Sequence, residues 1–230
     1  MLPIGNIFVK RGYNLFMQTD IQKNGRKTKG KRSERLPVRE RILVAAGDLF
    51  HKQGIHGVGV EAIAEAADTN KMTLYRHFDS KDELIAEWVR GMIAHKEQEW
   101  TDLSAVHAGD PQGLLQDWSR RTAAKLKVME ERGSALGNAL AELPDPEHPA
   151  RRVIQEYKAR EHKRVVRLCK AAGFQNPDLA ANLFWMLLEG AHSCVQCVGM
   201  RKFGEHLVQL VDLMVENAKQ QRRAPYPTAL

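Results

Sequence analysis

Five polar or planar side chains share the exposed face of one short predicted helix, and their types indicate binding to nucleic acid. The face offers an ammonium, a hydroxyl, a phenol, a guanidinium and an imidazole, from Lys71, Thr73, Tyr75, Arg76 and His77. Such groups donate hydrogen bonds to phosphate oxygens and to the edges of bases in the major groove. The spacing therefore predicts a recognition surface over residues 71–78.

Two short helices joined by a tight corner must position these side chains. Ile63 begins an apolar pattern of helical spacing, residues 68–70 interrupt it, and Leu74 and Phe78 resume it four residues apart. Asn70 is a favourable N-cap for the second helix, because its side-chain oxygen can accept from a free backbone N–H. The arrangement predicts a helix-turn-helix in which the second helix enters the major groove.

The segment Thr73-Leu-Tyr-Arg-His-Phe78, followed by Ser80-Lys-Asp-Glu-Leu84, resembles the core of the TetR (tetracycline repressor) family of bacterial regulators. The resemblance covers about residues 38–88. It implies contacts with the phosphate backbone from Thr73, Tyr75, His77 and Lys81, and an approach to bases by Lys71, Met72, Arg76 and His77.

The chain departs from the family pattern at two places. The corner carries Asp68 and Thr69 where the family has a glycine and an apolar residue. Aspartate is among the few non-glycine residues that tolerate a positive φ, so we expect the corner to form at some energetic cost. Val58 and Gly59 replace the family's hydroxyl residues before the first of the two helices, so phosphate contacts are not expected there.

Positive charge is concentrated at the start of the chain. The formal net charge is +7, and residues 1–36 account for all of it, because residues 37–230 carry equal numbers of basic and acidic side chains. We interpret residues 1–36 as a disordered basic arm that can follow DNA, with Met17 as an alternative start. Neither a signal peptide nor a membrane span is predicted, which favours a cytoplasmic protein.

The remaining pattern is helical throughout. It predicts an all-α fold of about nine helices in two parts. The family resemblance implies that residues 37–83 form the helix-turn-helix domain and residues 84–230 a ligand-binding and dimerisation domain. Gly54 and Gly173 are predicted to end the first helix and a long later one, Ser80 and Glu83 to form a capping box, and Asn176 to cap the helix that begins at Pro177.

The last two predicted helices carry more apolar side chains than one buried face requires. These are Leu179, Leu183, Phe184, Trp185, Met186, Leu187 and Leu188 in one helix, and Leu207, Leu210, Val211 and Met214 in the other. We expect one face of the pair to pack on its own domain and another to form a homodimer. A symmetric dimer presents two recognition helices one groove repeat apart to a palindromic operator. The alternative interpretation of these apolar side chains is a helix buried deep in the core of one chain.

The family resemblance also implies an inducer held among the middle helices. The predicted ligand contacts are Trp88, Met92, Trp118, Asn138, Tyr157 and Trp185, with Glu142 and His192 as further polar anchors. Together these expectations describe a repressor that a small, largely apolar molecule releases from DNA. A regulator that needs no ligand, or that needs a co-repressor, remains an alternative.

Enzyme, metal and redox functions have weaker sequence support. No nucleophile elbow, zinc-protease motif or phosphate-binding loop is present, so we predict neither an enzyme nor a cofactor. Cys194 and Cys197 are spaced as in thiol oxidoreductases, but they lie late in an apolar helix, and a zinc site would need two further ligands. A thiol redox protein using this pair is kept as the alternative from a different class.

Overall fold

The fold is all-helical across the residues that the computed structural model describes, namely 36–128, 133–194 and 202–223. This confirms the predicted fold class. The basic arm up to residue 35, Met17 and Cys197 lie outside the described residues. The helices are α1 (Val38–Gln53), α2 (Val60–Ala66), α3 (Lys71–His77), α4 (Lys81–Val106), α5 (Pro111–Val128), α6 (Ala135–Glu142), α7 (Pro149–Ala172), α8 (Pro177–Cys194) and α9 (Phe203–Arg223).

The helices begin where side chains can accept from free backbone N–H groups. The Ser80 hydroxyl accepts from the Glu83 N–H at 3.0 Å, and the Asn176 side chain accepts from the Leu179 N–H at 3.1 Å. In a complete capping box the Glu83 carboxylate would accept from the Ser80 N–H. Here this carboxylate accepts from Arg90 at 2.9 Å, so it is not reserved for the capping box. Pro37 is the N-cap residue of α1 and lies one residue before it.

Glycines with positive φ end two of the helices, as predicted. Gly54 follows α1 with φ 80°, and Gly173 follows α7 with φ 86°. The Gly173 N–H donates to the Cys169 carbonyl at 3.1 Å, which satisfies a carbonyl that the end of the helix leaves without a partner.

Packing divides the chain into two compact units, and the first contains the helix-turn-helix. It comprises the described residues up to Gln98 together with Ala135–Gln155. Its buried core includes Ile42, Phe50, Ile63, Leu74, Phe78, Leu84, Val89, Leu136 and Ile154. Helices α1 to α3, part of α4, and α6 therefore belong to one packed body. The predicted domain boundary after residue 83 is a different division and stays a prediction.

The second unit comprises the described residues of Glu99–Ser134 and Glu156–Leu230. Its core brings together leucine, valine and aromatic side chains, among them Leu115, Val165, Phe184, Leu207, Val211 and Val215. The Trp118 ring packs edge-on against Trp100 and Phe184, with centroids 5.1 and 5.4 Å away. These three aromatic side chains thus form one continuous cluster.

Candidate nucleic-acid interface

The corner between α2 and α3 is a Schellman motif with aspartate in the position that usually requires glycine. Asp68 has φ 51°, a left-handed conformation, as the sequence predicts for this corner. The Thr69 N–H donates to the Ala64 carbonyl and the Asp68 N–H to the Glu65 carbonyl, both at 2.9 Å. These two bonds close the end of α2, so the corner forms without a glycine.

Arg41 of α1 stabilises the same corner from outside. Its Nε donates to the Ala67 carbonyl at 2.9 Å and its Nη2 to the Asp68 carbonyl at 3.0 Å. Cationic donors at the C-terminal end of a helix satisfy free carbonyls and complement the negative end of the helix dipole. This role was not identified in the sequence, because nothing local to Arg41 indicates which carbonyls it reaches.

Helix α3 is capped at its start and anchored by its apolar side. The Asn70 side chain accepts from the Thr73 N–H at 2.9 Å, which confirms the predicted N-cap. Leu74 and Phe78 are almost fully buried, as their four-residue spacing indicates. The Arg39 guanidinium lies 5.0 Å from the centre of the Phe78 ring, so α1 covers the end of α3. The apolar face of α3 is thereby held in place, and the opposite face is exposed to solvent.

The outward face of α3 presents the predicted DNA-binding side chains. Lys71, Met72, Tyr75, Arg76 and His77 are exposed, Met72 to 80%, while Thr73 is half-buried. An apolar side chain that is this exposed is suited to contact the methyl group of thymine. The structure therefore brings six of the seven predicted DNA-binding residues onto one short helix.

Two of the predicted contact residues also bind other parts of the protein. The Lys71 ammonium donates to the Glu61 carboxylate at 2.6 Å, and the Lys81 ammonium donates to the Ile55 carbonyl at 2.7 Å. An ammonium has three N–H donors, so each lysine keeps two for other acceptors. The Lys81 bond fixes the connector between α1 and α2.

Comparison with known proteins shows similarity to TetR-family regulators. The family model for bacterial regulatory proteins of the tetR family matches residues 42–88, the segment from α1 to α4 that contains the corner and the exposed helix. The structure of SCO4454, a TetR-family transcriptional regulator from Streptomyces coelicolor, aligns with a TM-score of 0.74 and 26% identity. The alignment covers 79% of this chain and 95% of that one. Residues 42–88 therefore carry the helix-turn-helix of the TetR family.

The chain also resembles curated transcriptional regulators. It is 44% identical over 57 residues to the HTH-type transcriptional activator FasR of Mycolicibacterium smegmatis, covering 24% of this chain and 26% of FasR. It is 30% identical over 120 residues to the HTH-type transcriptional regulator LmrA of Bacillus subtilis, covering 51% of this chain and 63% of LmrA. The chain thus spans about a quarter of FasR. The similarity of residues 42–88 to these proteins supports the prediction of a DNA-binding regulator.

A second group of contacts joins α6 to the connector between α1 and α2, within the first unit. The Glu142 carboxylate accepts from the Ile55 N–H at 2.6 Å and from the His56 N–H at 3.3 Å. The His56 ring donates from Nε2 to the Glu142 carbonyl at 2.6 Å. We refer to these contacts of Glu142 with Ile55 and His56 as the Glu142 clasp. Glu142, predicted as a ligand anchor, is therefore bonded to the connector that leads into α2.

Neighbouring side chains hold the clasp in place. Arg151 donates from Nη1 to the carbonyls of Leu140 and Leu143, at 3.3 and 2.5 Å, and so caps the end of α6. His148 lies 3.4 Å from the carboxylate of Asp82, which is in the first turn of α4. The end of α6 is thus tied to the connector, and the loop that follows α6 is tied to the start of α4.

The six predicted ligand contacts are divided between the two units. Trp88, Met92 and Asn138 belong to the first, where Trp88 packs edge-on against Phe50 with centroids 5.3 Å apart. Trp118, Tyr157 and Trp185 belong to the second. The ligand site itself stays a prediction. In the second unit the Tyr157 hydroxyl donates to Glu161 at 2.8 Å, and the Trp185 ring lies 4.8 Å from that of His162.

The apolar side chains of α8 and α9 divide into a buried set and an exposed set. Phe184, Leu188, Leu207, Val211 and Met214 are buried in the second unit. A second set of side chains is exposed and borders an open groove of about 390 Å³. This set consists of Leu179 and Leu183 of α8 and Leu210 and Leu213 of α9. Met186 is exposed one turn further along α8.

The cysteines of the described residues give no support to redox chemistry. Burial raises the pKa of the Cys169 thiol to about 12, which keeps this thiol protonated and unreactive. Cys194 is a free, half-buried thiol, and its predicted partner Cys197 lies outside the described residues. Those residues also contain no group of three His, Cys, Asp or Glu side chains suited to a metal ion. None of the described helices has both the length and the apolar composition that a bilayer span requires.

Proposed function

We propose that the protein is a homodimeric, sequence-specific repressor that binds a palindromic operator and is released by a small, largely apolar molecule. The observation that carries the proposal is the outward face of α3, where Lys71, Met72, Tyr75, Arg76 and His77 stand exposed on a helix fixed from behind by Leu74 and Phe78. A rigid short helix with free donors is what a base-reading element requires. The proposed location is the cytoplasm, where DNA is accessible.

Different side chains of α3 are assigned different parts of the DNA. The long guanidinium of Arg76 can donate two hydrogen bonds to one guanine, whereas the Tyr75 hydroxyl, at the same exposed surface, suits a phosphate oxygen. Met72 provides apolar contact with thymine methyl groups. Base contacts determine sequence preference, while phosphate contacts determine register and general affinity.

The first test separates these two roles. We expect Arg76→Ala to lose roughly 1–3 kcal/mol of binding free energy on the preferred operator and much less on operators altered at the base pair that it contacts. Tyr75→Phe, which removes one hydroxyl, is the matched control and should weaken binding to all sequences by a similar factor. Affinity is measured on a panel of single-base operator variants at fixed salt. Equal losses across the whole panel for Arg76→Ala would contradict its role in reading bases.

The apolar groove on α8 and α9 supports the dimer. Exposed leucines and a methionine clustered on two adjacent helices form a contiguous apolar surface, which monomeric soluble proteins rarely keep in contact with water. A second copy brings the same two helices to the groove and completes a four-helix seam.

The Glu142 clasp supports a route by which a ligand changes DNA binding. Helix α6 is short, buries Leu136 and Ala139, and ends at the carboxylate that holds the connector before α2. A ligand that binds beside α6 and displaces its last turn would break the bonds to Ile55 and His56. The connector and α2 would then lose their fixed position, and α3 would no longer match the groove.

The second test combines ligands with a variant of the clasp. We expect at least one compound from a broad panel of lipophilic molecules to weaken operator binding by the wild-type protein, measured by fluorescence anisotropy. In Glu142→Ala the same compound should bind, by calorimetry, but change operator affinity much less. Glu147→Ala, which removes an exposed carboxylate from the following loop, is the control and should respond as wild type does.

Three outcomes would revise the proposal. A panel in which no compound alters DNA binding favours the ligand-independent regulator, and a compound that strengthens binding favours a co-repressor. An undiminished response of Glu142→Ala would contradict the clasp as the route. The sign of regulation is tested by transcription from the bound promoter, because the similar protein FasR is named an activator.

A further inference from the structure

The one predicted DNA-binding cation that pairs with a carboxylate, among the described residues, is Lys71. Its ammonium donates to Glu61 at 2.6 Å, and the two side chains are 54% and 66% exposed. Lys71 is the first residue of α3, and Glu61 lies in the first turn of α2. The pair thus joins the two helices of the helix-turn-helix on their solvent side.

The pair is poorly suited to stabilising the fold. An ion pair that is exposed on both sides contributes little, because water and salt screen the attraction and two flexible side chains must be ordered. The hydrogen bond from Lys71 lowers the pKa of Glu61, so this carboxylate stays ionised at neutral pH. A permanent negative charge beside the recognition helix is unfavourable for binding a polyanion.

The position of Lys71 indicates a role for the negative charge of Glu61. In helix-turn-helix proteins the N-terminal residues of the recognition helix approach the edges of bases. An ammonium that gives one N–H to a carboxylate still has two, which matches the O6 and N7 acceptors of one guanine. The carboxylate also limits where the flexible lysine chain can place those two donors.

We propose that Glu61 is a specificity-determining residue that positions Lys71 to read a guanine and prevents it from acting as a general phosphate contact. The inference rests on the proposed DNA-binding function. Paired with Glu61, Lys71 adds no net charge to the interface, so random DNA gains little from it. An operator that offers guanine at the right position gains two directed hydrogen bonds.

The test compares two substitutions that remove the same charge from the same helix. Glu61→Gln frees Lys71, whereas Glu65→Gln removes an exposed carboxylate one turn further along α2, away from the Lys71 ammonium. The full-length proteins are titrated with two duplexes of equal length over a series of salt concentrations. One duplex is selected by the wild-type protein from a random pool, and the other has random sequence.

For Glu61→Gln we expect affinity for the random duplex to rise by about fivefold or more and the salt slope to steepen by about one, as one more phosphate contact predicts. Affinity for the selected duplex should change less, so the ratio of the two affinities falls. Glu65→Gln should leave this ratio within about twofold of wild type. In Glu61→Gln with Lys71→Gln, the gain on random DNA should disappear.

Sequence preference provides a second readout. Duplexes selected by Glu61→Gln should lose the guanine preference at one position per half-site that wild type shows. An unchanged affinity ratio and an unchanged preference, or the same changes in Glu65→Gln, would overturn the inference about Glu61. A wild-type protein that binds no duplex in preference to another would instead overturn the proposed function, so the two failures are distinguishable.

Discussion

Leu183→Glu is expected to convert the protein into a monomer and to lower operator affinity by roughly 100-fold or more. Leu183 of α8 borders the apolar groove and is 42% exposed in the isolated chain. In a symmetric dimer each copy contributes the same residue, so the substitution places two like charges in one desolvated seam. The loss on DNA is large because two linked recognition helices bind far more tightly than one.

Light scattering after size-exclusion chromatography gives the oligomeric state, and titration of a palindromic duplex gives the affinity. Lys219→Glu is the control, because Lys219 is exposed on α9 outside the groove and should leave both quantities near wild type. Circular dichroism verifies that the variants are folded. A folded Leu183→Glu protein that remains dimeric and binds DNA as wild type does would place the seam elsewhere.

Gly54→Ala is expected to destabilise the protein by about 2.5–6 kcal/mol, for two separable reasons. Gly54 has φ 80°, where an L-residue costs roughly 1–3 kcal/mol. A Cβ there would also lie 2.8 Å from Oε2 of Glu142. The carboxylate must then move, and the Ile55 N–H loses a bond to a charged acceptor that is worth about 1.5–3 kcal/mol.

Gly109→Ala separates the two contributions. Gly109 has a similar φ of 82°, but a Cβ there meets no atom within 4 Å, so this variant should show the backbone cost alone. Urea unfolding of both variants measures the difference. Combining Gly54→Ala with Glu142→Ala removes the clash, so the double variant should be more stable than the sum of its parts predicts. Equal destabilisation of Gly54→Ala and Gly109→Ala would show that the Glu142 clasp contributes nothing.

Much of the helix-turn-helix is predictable because its signals are local. Asn70 caps α3 through a bond to a residue three positions away, and Leu74 and Phe78 share one face because they are four positions apart. The tolerance of Asp68 for positive φ is likewise a property of one residue. The exposed, polar face of α3 follows from the same helical spacing.

The excess of apolar side chains in α8 and α9 is also predictable, but which of these side chains are buried and which are exposed is not. The sequence placed Leu207, Leu210, Val211 and Met214 in one stripe, whereas only Leu210 of these is exposed. Leu213, which is not part of that stripe, borders the groove together with Leu210. Periodicity gives the angular width of an apolar face, but the edge of the buried part depends on which neighbouring helix covers it.

The amino-acid sequence alone determines where helices begin and end, which residues share a face, and which face of α3 carries donors, because each of these depends on neighbours within one or two turns. The partners of charged side chains are decided only by the tertiary structure. Arg41 reaches Ala67 and Asp68, Lys71 reaches Glu61, and Glu142 reaches Ile55 from 87 positions away. Such contacts depend on how separate helices pack. A long polar side chain can adopt several rotamers, and only its neighbours in the packed structure determine which of them it takes.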